Sequence, residues 1–126
     1  MRRLVISVRN FIFADAIADA LTAHSDYDVF NAEDPQKAVD LCRLALPNAL
    51  LLEVCDCNGW RPDDMKPIRD MAKKQVPDCK TVFLVDEKES KGIVDKVMQL
   101  KKDNIIDNFV FSSVSSSYLV AMMDAL

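Results

Sequence analysis

The stretch Ala49-Leu50-Leu51-Leu52-Glu53-Val54 near the middle of the chain is apolar on both faces of an extended strand. A strand of an antiparallel sheet with one wet face alternates, whereas a run apolar on both sides belongs at the centre of a parallel sheet covered by helices above and below. Pro47-Asn48 precedes the run and the loop Cys55 to Pro62 follows it, which limits it to strand length. A chain with such a strand must supply two helical layers, and the remaining sequence does.

Short apolar runs alternate with segments of helical period from the N-terminus onward. Leu4 to Val8 is a strand, after which Phe13, Ile17 and Leu21 recur on one helical face. Tyr27 to Asn31 alternates, with Asp28 between Tyr27 and Val29, as an edge strand does. Asp34 caps and Pro35 begins a second helix, whose buried stripe is Ala38, Leu41, Cys42 and Ala45. Asp63 is read as the cap of a third helix carrying Ile68, Met71 and Ala72, with Pro67 tolerated near its first turn. Thr81 to Val85 is the fourth strand, Ser90 caps a helix with Ile93, Val94, Val97 and Leu100, and Phe109 to Phe111 lies in the fifth strand. Ser115 to Ser117 cap a last helix, with Leu119, Met122, Met123 and Leu126 on one face. That stripe is still running at Leu126, a pattern that fits the N-terminal part of a longer protein.

Five strands alternating with five helices predict a three-layer, doubly wound, flavodoxin-like α/β domain with a parallel sheet, right-handed crossovers and strand order 2-1-3-4-5. With 126 residues, half of them hydrophobic, and only two glycines, residues 1–126 read as a single domain with one sizeable core and no flexible linker. A net charge of −4 argues against direct binding to nucleic acid or to an anionic membrane surface. Arg9, Asp15 and Asp19 interrupt the N-terminal apolar stretch before a signal-peptide core develops, and no segment spans a membrane. The four cysteines read as reduced thiols, and the location as cytoplasmic.

In the 2-1-3-4-5 order, ligands sit beyond the carboxyl ends of strands 1 and 3, which here carry Arg9, Asn10 and Glu53. The run Leu50 to Val54, standing where a hydrophobic strand ends in aspartate, and Pro77 to Val85, similar to a fourth strand and its approach, resemble the receiver domains of bacterial response regulators, the CheY-like family. The resemblance covers the whole chain. It implies a module of two-component signal transduction in which a phosphoryl group is taken onto that aspartate. An acidic pair after strand 1 holds magnesium there, a Thr or Ser ends strand 4 and a lysine ends strand 5.

This sequence departs from the pattern at each position. The phosphoacceptor equivalent is Glu53, the acidic-pair equivalents are Arg9 and Asn10, and the switch equivalents are Val85 and, for the lysine, Ser112. It therefore reads as a pseudo-receiver, a phosphorylation-independent protein-interaction module and not an enzyme, with no cofactor and no metal. Glu53, one methylene longer than aspartate, imitates a phosphorylated acceptor in this reading, with Arg9 as its counter-ion. The alternative is an atypical phosphoreceiver or divalent-ion switch using Glu53 or Asp56, with Asp63, Asp64, Asp86 and Glu87 opening at the same end of the sheet.

Other features carry less. Cys55-Asp56-Cys57, with Cys79, has neither the spacing nor the histidine of a recognisable zinc site, and a redox pair with Trp60 as a lid is a third reading. His24 falls at a helix end remote from the crevice, where a cation suits the helix dipole. Nucleophile elbows and glycine-rich phosphate loops are lacking. A protein partner, or a second copy of the chain, is expected on the face of helix 4, strand 5 and helix 5. Tyr118, Met122 and Met123 are the candidate contacts there, with Phe11 and Trp60 as further exposed aromatics and Lys96, Lys101 and Lys102 steering an acidic partner.

Overall fold

A computed structural model describes residues 1–126. In chain order the elements are β1 (Arg2–Ser7), α1 (Phe11–His24), β2 (Tyr27–Ala32), α2 (Pro35–Ala45), β3 (Ala49–Val54), a 3-10 turn (Pro62–Met65) that runs into α3 (Lys66–Gln75), β4 (Lys80–Val85), α4 (Lys91–Lys102), β5 (Asn108–Phe111) and α5 (Ser116–Asp124). All strand pairs are parallel and the sheet order is β2-β1-β3-β4-β5. The flavodoxin-like architecture and the expected strand order are thus both present.

The period of two along the strands distributes the core between two helical layers. Leu50, Leu52 and Val54 of β3 face Ala38 and Cys42 of α2, Ile68 and Ala72 of α3 and Val97 of α4. Ala49 and Leu51 face the other way, toward Ala14, Ile17 and Leu21 of α1 and Leu119 and Met123 of α5. Each fully buried leucine or isoleucine contributes about 1.5–3 kcal/mol. The same alternation puts Glu53 on the α1/α5 side, at the carboxyl edge of the sheet.

Helix starts follow the side chains that satisfy their free amides. Asp34 accepts from the Lys37 N–H at 2.9 Å, Ser90 from the Ile93 N–H at 3.4 Å and Ser115 from the Tyr118 N–H at 3.1 Å. Asp63 does not cap α3. It lies within the 3-10 turn, where Asp64 instead accepts from the Arg61 N–H at 3.0 Å, and the α-helix begins only at Lys66. β1 starts two residues before its apolar run, because Arg2 and Arg3 continue the ladder opposite Tyr27 and Asp28. Arg2 also clamps the chain ends: its guanidinium stacks 4.3 Å over the Tyr27 ring and pairs with Asp26 at 2.7 Å and Asp124 at 2.6 Å.

Candidate functional site

The crevice lies beyond the carboxyl ends of β1 and β3, which are direct neighbours with Ser7 opposite Leu52. That register carries Arg9 and the residues following Glu53 to the same point. Glu53 Oε1 accepts a hydrogen bond from the backbone N–H of Arg9 at 2.8 Å. The Arg9 guanidinium forms no salt bridge with Glu53, which adds only a smaller electrostatic hold on it than the cysteines do. Its Nη1 donates to Cys55 Sγ at 3.3 Å and to Cys57 Sγ at 3.2 Å. Asn10, the second residue of the expected pair, is occupied as the cap of α1, its Oδ1 accepting from the Phe13 N–H at 3.0 Å.

The two sulfurs differ in access. Cys55 is buried and Cys57 half-buried, and both sulfurs lie against the same nitrogen of Arg9. Burial pushes the Cys55 thiol up, the Cys57 thiol adds to this, and the guanidinium pulls it down. Arg9 in turn is held more firmly protonated, chiefly by Cys55 and then by Cys57. Trp60 half-buries its ring against the core on the α2–α4 side and does not stand over the crevice as a free lid. The backbone N–H of Trp60 donates to the Cys57 carbonyl at 2.8 Å and its carbonyl accepts from the Cys55 N–H at 2.9 Å, which closes the loop between them. Nothing in the spacing of these residues announced the Arg9–sulfur contact. The adjacency of strands 1 and 3 in the expected order was the one available signal.

No family model matches the sequence, and no curated protein matches it. Solved structures do. A DNA-binding response regulator of the LuxR family from Staphylococcus aureus superposes with a TM-score of 0.77 at 18% identity, covering 99% of this chain and 98% of that one. A CheY-like response regulator receiver domain protein from Methanospirillum hungatei JF-1 gives 0.76 at 15% identity, over 99% and 92% of the two chains. The chain has the receiver fold. The same fold aligns with an adenylate cyclase from Rhodopirellula baltica, with a TM-score of 0.79 at 13% identity over 98% and 85% of the chains, so the fold by itself does not name a chemistry.

Within this receiver fold the remaining candidate positions are spread out. Val85, the last residue of β4, is fully buried and apolar, and its carbonyl accepts from the Ser112 N–H at 2.9 Å. The neighbouring Ser113 donates to Glu87 at 2.8 Å. Asp56 pairs with Arg61 at 3.1 Å, Asp63 with Lys96 at 3.6 Å, and Asp86 accepts from the Lys88 N–H at 2.8 Å. The acids at this end thus have separate partners, and no three metal-ligating side chains come together. His24 ends α1 at the far side of the sheet, in a cleft of about 310 Å³ formed with Ser116, Ser117, Val120, Ala121 and Asp124.

On the α4–β5–α5 face, Met123 is not the partner contact that the sequence pattern predicts. Met123 is fully buried between α5 and the sheet, with its carbonyl accepting from the Tyr27 hydroxyl at 2.7 Å, and it is not offered to a partner. The i, i+3, i+4 stripe is a core stripe. Tyr118 is 58% exposed and Met122 half-exposed on the same helix. Phe11, 69% exposed, stands at the first turn of α1 beside the crevice.

Proposed function

We propose that residues 1–126 act as one receiver-like, protein-binding signalling module in the cytoplasm, without a phosphorylation switch and without catalysing a reaction. The observation that carries this reading is the position of the Arg9 side chain. In receivers, the edge beyond β1 supplies carboxylates to a magnesium ion, which prefers an octahedron of oxygens. Here that edge supplies a guanidinium seated on two sulfurs, a helix-capping amide and a carboxylate already bonded to a backbone N–H. A fixed positive charge and soft donors do not fit magnesium. The buried, apolar Val85 offers no hydroxyl to follow a phosphoryl group.

The module's partner is a protein or a second copy of this chain, bound through the α4–β5–α5 face at Tyr118 and Met122. An exposed aromatic ring and a flexible thioether supply apolar contact area there, and the lysines of α4 favour an acidic partner. Neither DNA nor a membrane is a direct partner of a domain carrying a net charge of −4.

Amide NMR titration with Mg²⁺ and then beryllofluoride tests the absence of the switch, read at Asn10, Glu53, Asp86 and Ser112. The expected result is no saturable shift. Saturable shifts around Glu53 or Asp56 would instead establish an atypical phosphoreceiver or divalent-ion switch.

A further inference from the structure

We propose that Cys57 and Cys55, held on the guanidinium of Arg9, form a reversible dithiol site that reacts with small hydroperoxides. This inference is independent of whether a phosphorylation switch survives, because it rests on the two sulfurs and their contact with Arg9.

Three observations converge on it. One nitrogen of Arg9 donates to both sulfurs, at 3.3 and 3.2 Å, so a fixed cation lies against each of them. Access is asymmetric: Cys57 is half-exposed while Cys55 is buried, which suits an attacking thiol and a resolving one. The loop that carries them is closed by the two Cys–Trp60 backbone hydrogen bonds and turns at Gly59, whose φ of +88° suits glycine. The bent loop therefore holds both sulfurs against one nitrogen of Arg9.

The other two cysteines supply an internal contrast. Cys42 and Cys79 are completely buried in the core on the α2–α4 side, and burial pushes their thiols up to about 12 and about 11. No guanidinium touches either sulfur.

In the first step the Cys57 thiolate attacks the nearer oxygen of a hydroperoxide. An S–O bond forms as the O–O bond breaks, and the departing alkoxide or hydroxide takes up the proton that the thiol had released. Cys57 is now a sulfenic acid, oxidised by two electrons, and the peroxide has been reduced by two. Cys55 sulfur then attacks Cys57 sulfur, the S–S bond forms, the S–O bond breaks and water leaves with the Cys55 proton. A dithiol reductant reverses the cross-link by exchange. Oxidation removes both thiol acceptors from Arg9, so the partners of the guanidinium at the carboxyl edge of the sheet change with redox state.

The test is peroxide oxidation of the reduced full chain, followed by peptide mass mapping. The expected product lacks two hydrogens on the peptide that carries Cys55 and Cys57, and dithiothreitol restores them. Cys42 and Cys79 stay reduced. Cys55→Ser should stop at a dimedone-reactive sulfenic acid on Cys57, and Cys57→Ser should abolish the fast reaction. Arg9→Gln should slow it about tenfold by removing the cation that lies against both sulfurs. Circular dichroism of each variant shows that it has folded. Oxidation of the wild type no faster than glutathione under the same conditions, an unchanged rate in Arg9→Gln, or a cross-link between two chains would each overturn the proposal.

Discussion

If Glu53 is tied to the backbone of Arg9 and not to its side chain, deleting the two side chains should act independently on stability. Glu53→Ala leaves the Arg9 N–H without its carboxylate acceptor at 2.8 Å. Hydrogen bonds to charged groups contribute about 1.5–3 kcal/mol net. Glu53 is only half-buried, so water replaces part of the loss and the expected cost is about 1–1.5 kcal/mol. Glu53→Gln keeps an acceptor oxygen and should recover roughly half of it. Arg9→Ala keeps the N–H and removes an exposed guanidinium, for an expected cost below about 0.5 kcal/mol. Equilibrium urea unfolding of the wild type, both single variants and the double variant measures the coupling, provided that m stays constant. The coupling energy should lie within about 0.5 kcal/mol of zero. A coupling of about 1 kcal/mol or more would mean that guanidinium and carboxylate form the pair, refuting the placement of Arg9 on the sulfurs.

Thr81 is fully buried with no hydrogen-bond partner for its hydroxyl, so Thr81→Val should stabilise the fold by about 1 kcal/mol; a lower thermal midpoint than wild type would contradict this. Met123→Ala should cost about 2–5 kcal/mol in urea unfolding while Tyr118→Ala stays within about 0.5, and equal costs would place both side chains in the same environment. Asp26 is held below the usual carboxylate range, chiefly by its hydrogen bond to the Arg2 guanidinium. Its folded-state pKa is lower than its unfolded one, so the stabilisation is present above about pH 4 and disappears as pH falls through the folded value. The gap in thermal midpoint between wild type and Arg2→Met should therefore narrow on acidification, and a gap independent of pH would be inconsistent with the Arg2–Asp26 pair.

Much of the fold was legible because burial on two sides leaves a plain mark on a sequence. The apolar run Ala49 to Val54 became β3 at the same residues, and Asp34-Pro35, Ser90 and Ser115 mark helix starts, since each of those side chains meets an amide only three residues away. The failures occur where sequence periodicity says nothing about how a position is used. Asp63 looked like a cap, but Pro62 starts a 3-10 turn there, in which Asp64 reaches back to the Arg61 N–H and the α-helix begins only at Lys66. Met123 and Met122 carry the same side chain, yet their places on α5 bury one and half-expose the other.

The crevice divides along the same line. Local chemistry was enough to put Arg9, Asn10 and Glu53 at the carboxyl ends of β1 and β3, because strand length and helix capping are settled within a few residues. Which atoms meet there depended on contacts between residues more than forty positions apart, as in Arg9 to Glu53, Cys55 and Cys57. A guanidinium reaches equally well toward a carboxylate or a thiol, and the register of β1 against β3, with the turn through Gly59, brought the sulfurs to it. Charge complementarity alone pointed to Glu53, but the backbone amide of Arg9 had already engaged that carboxylate.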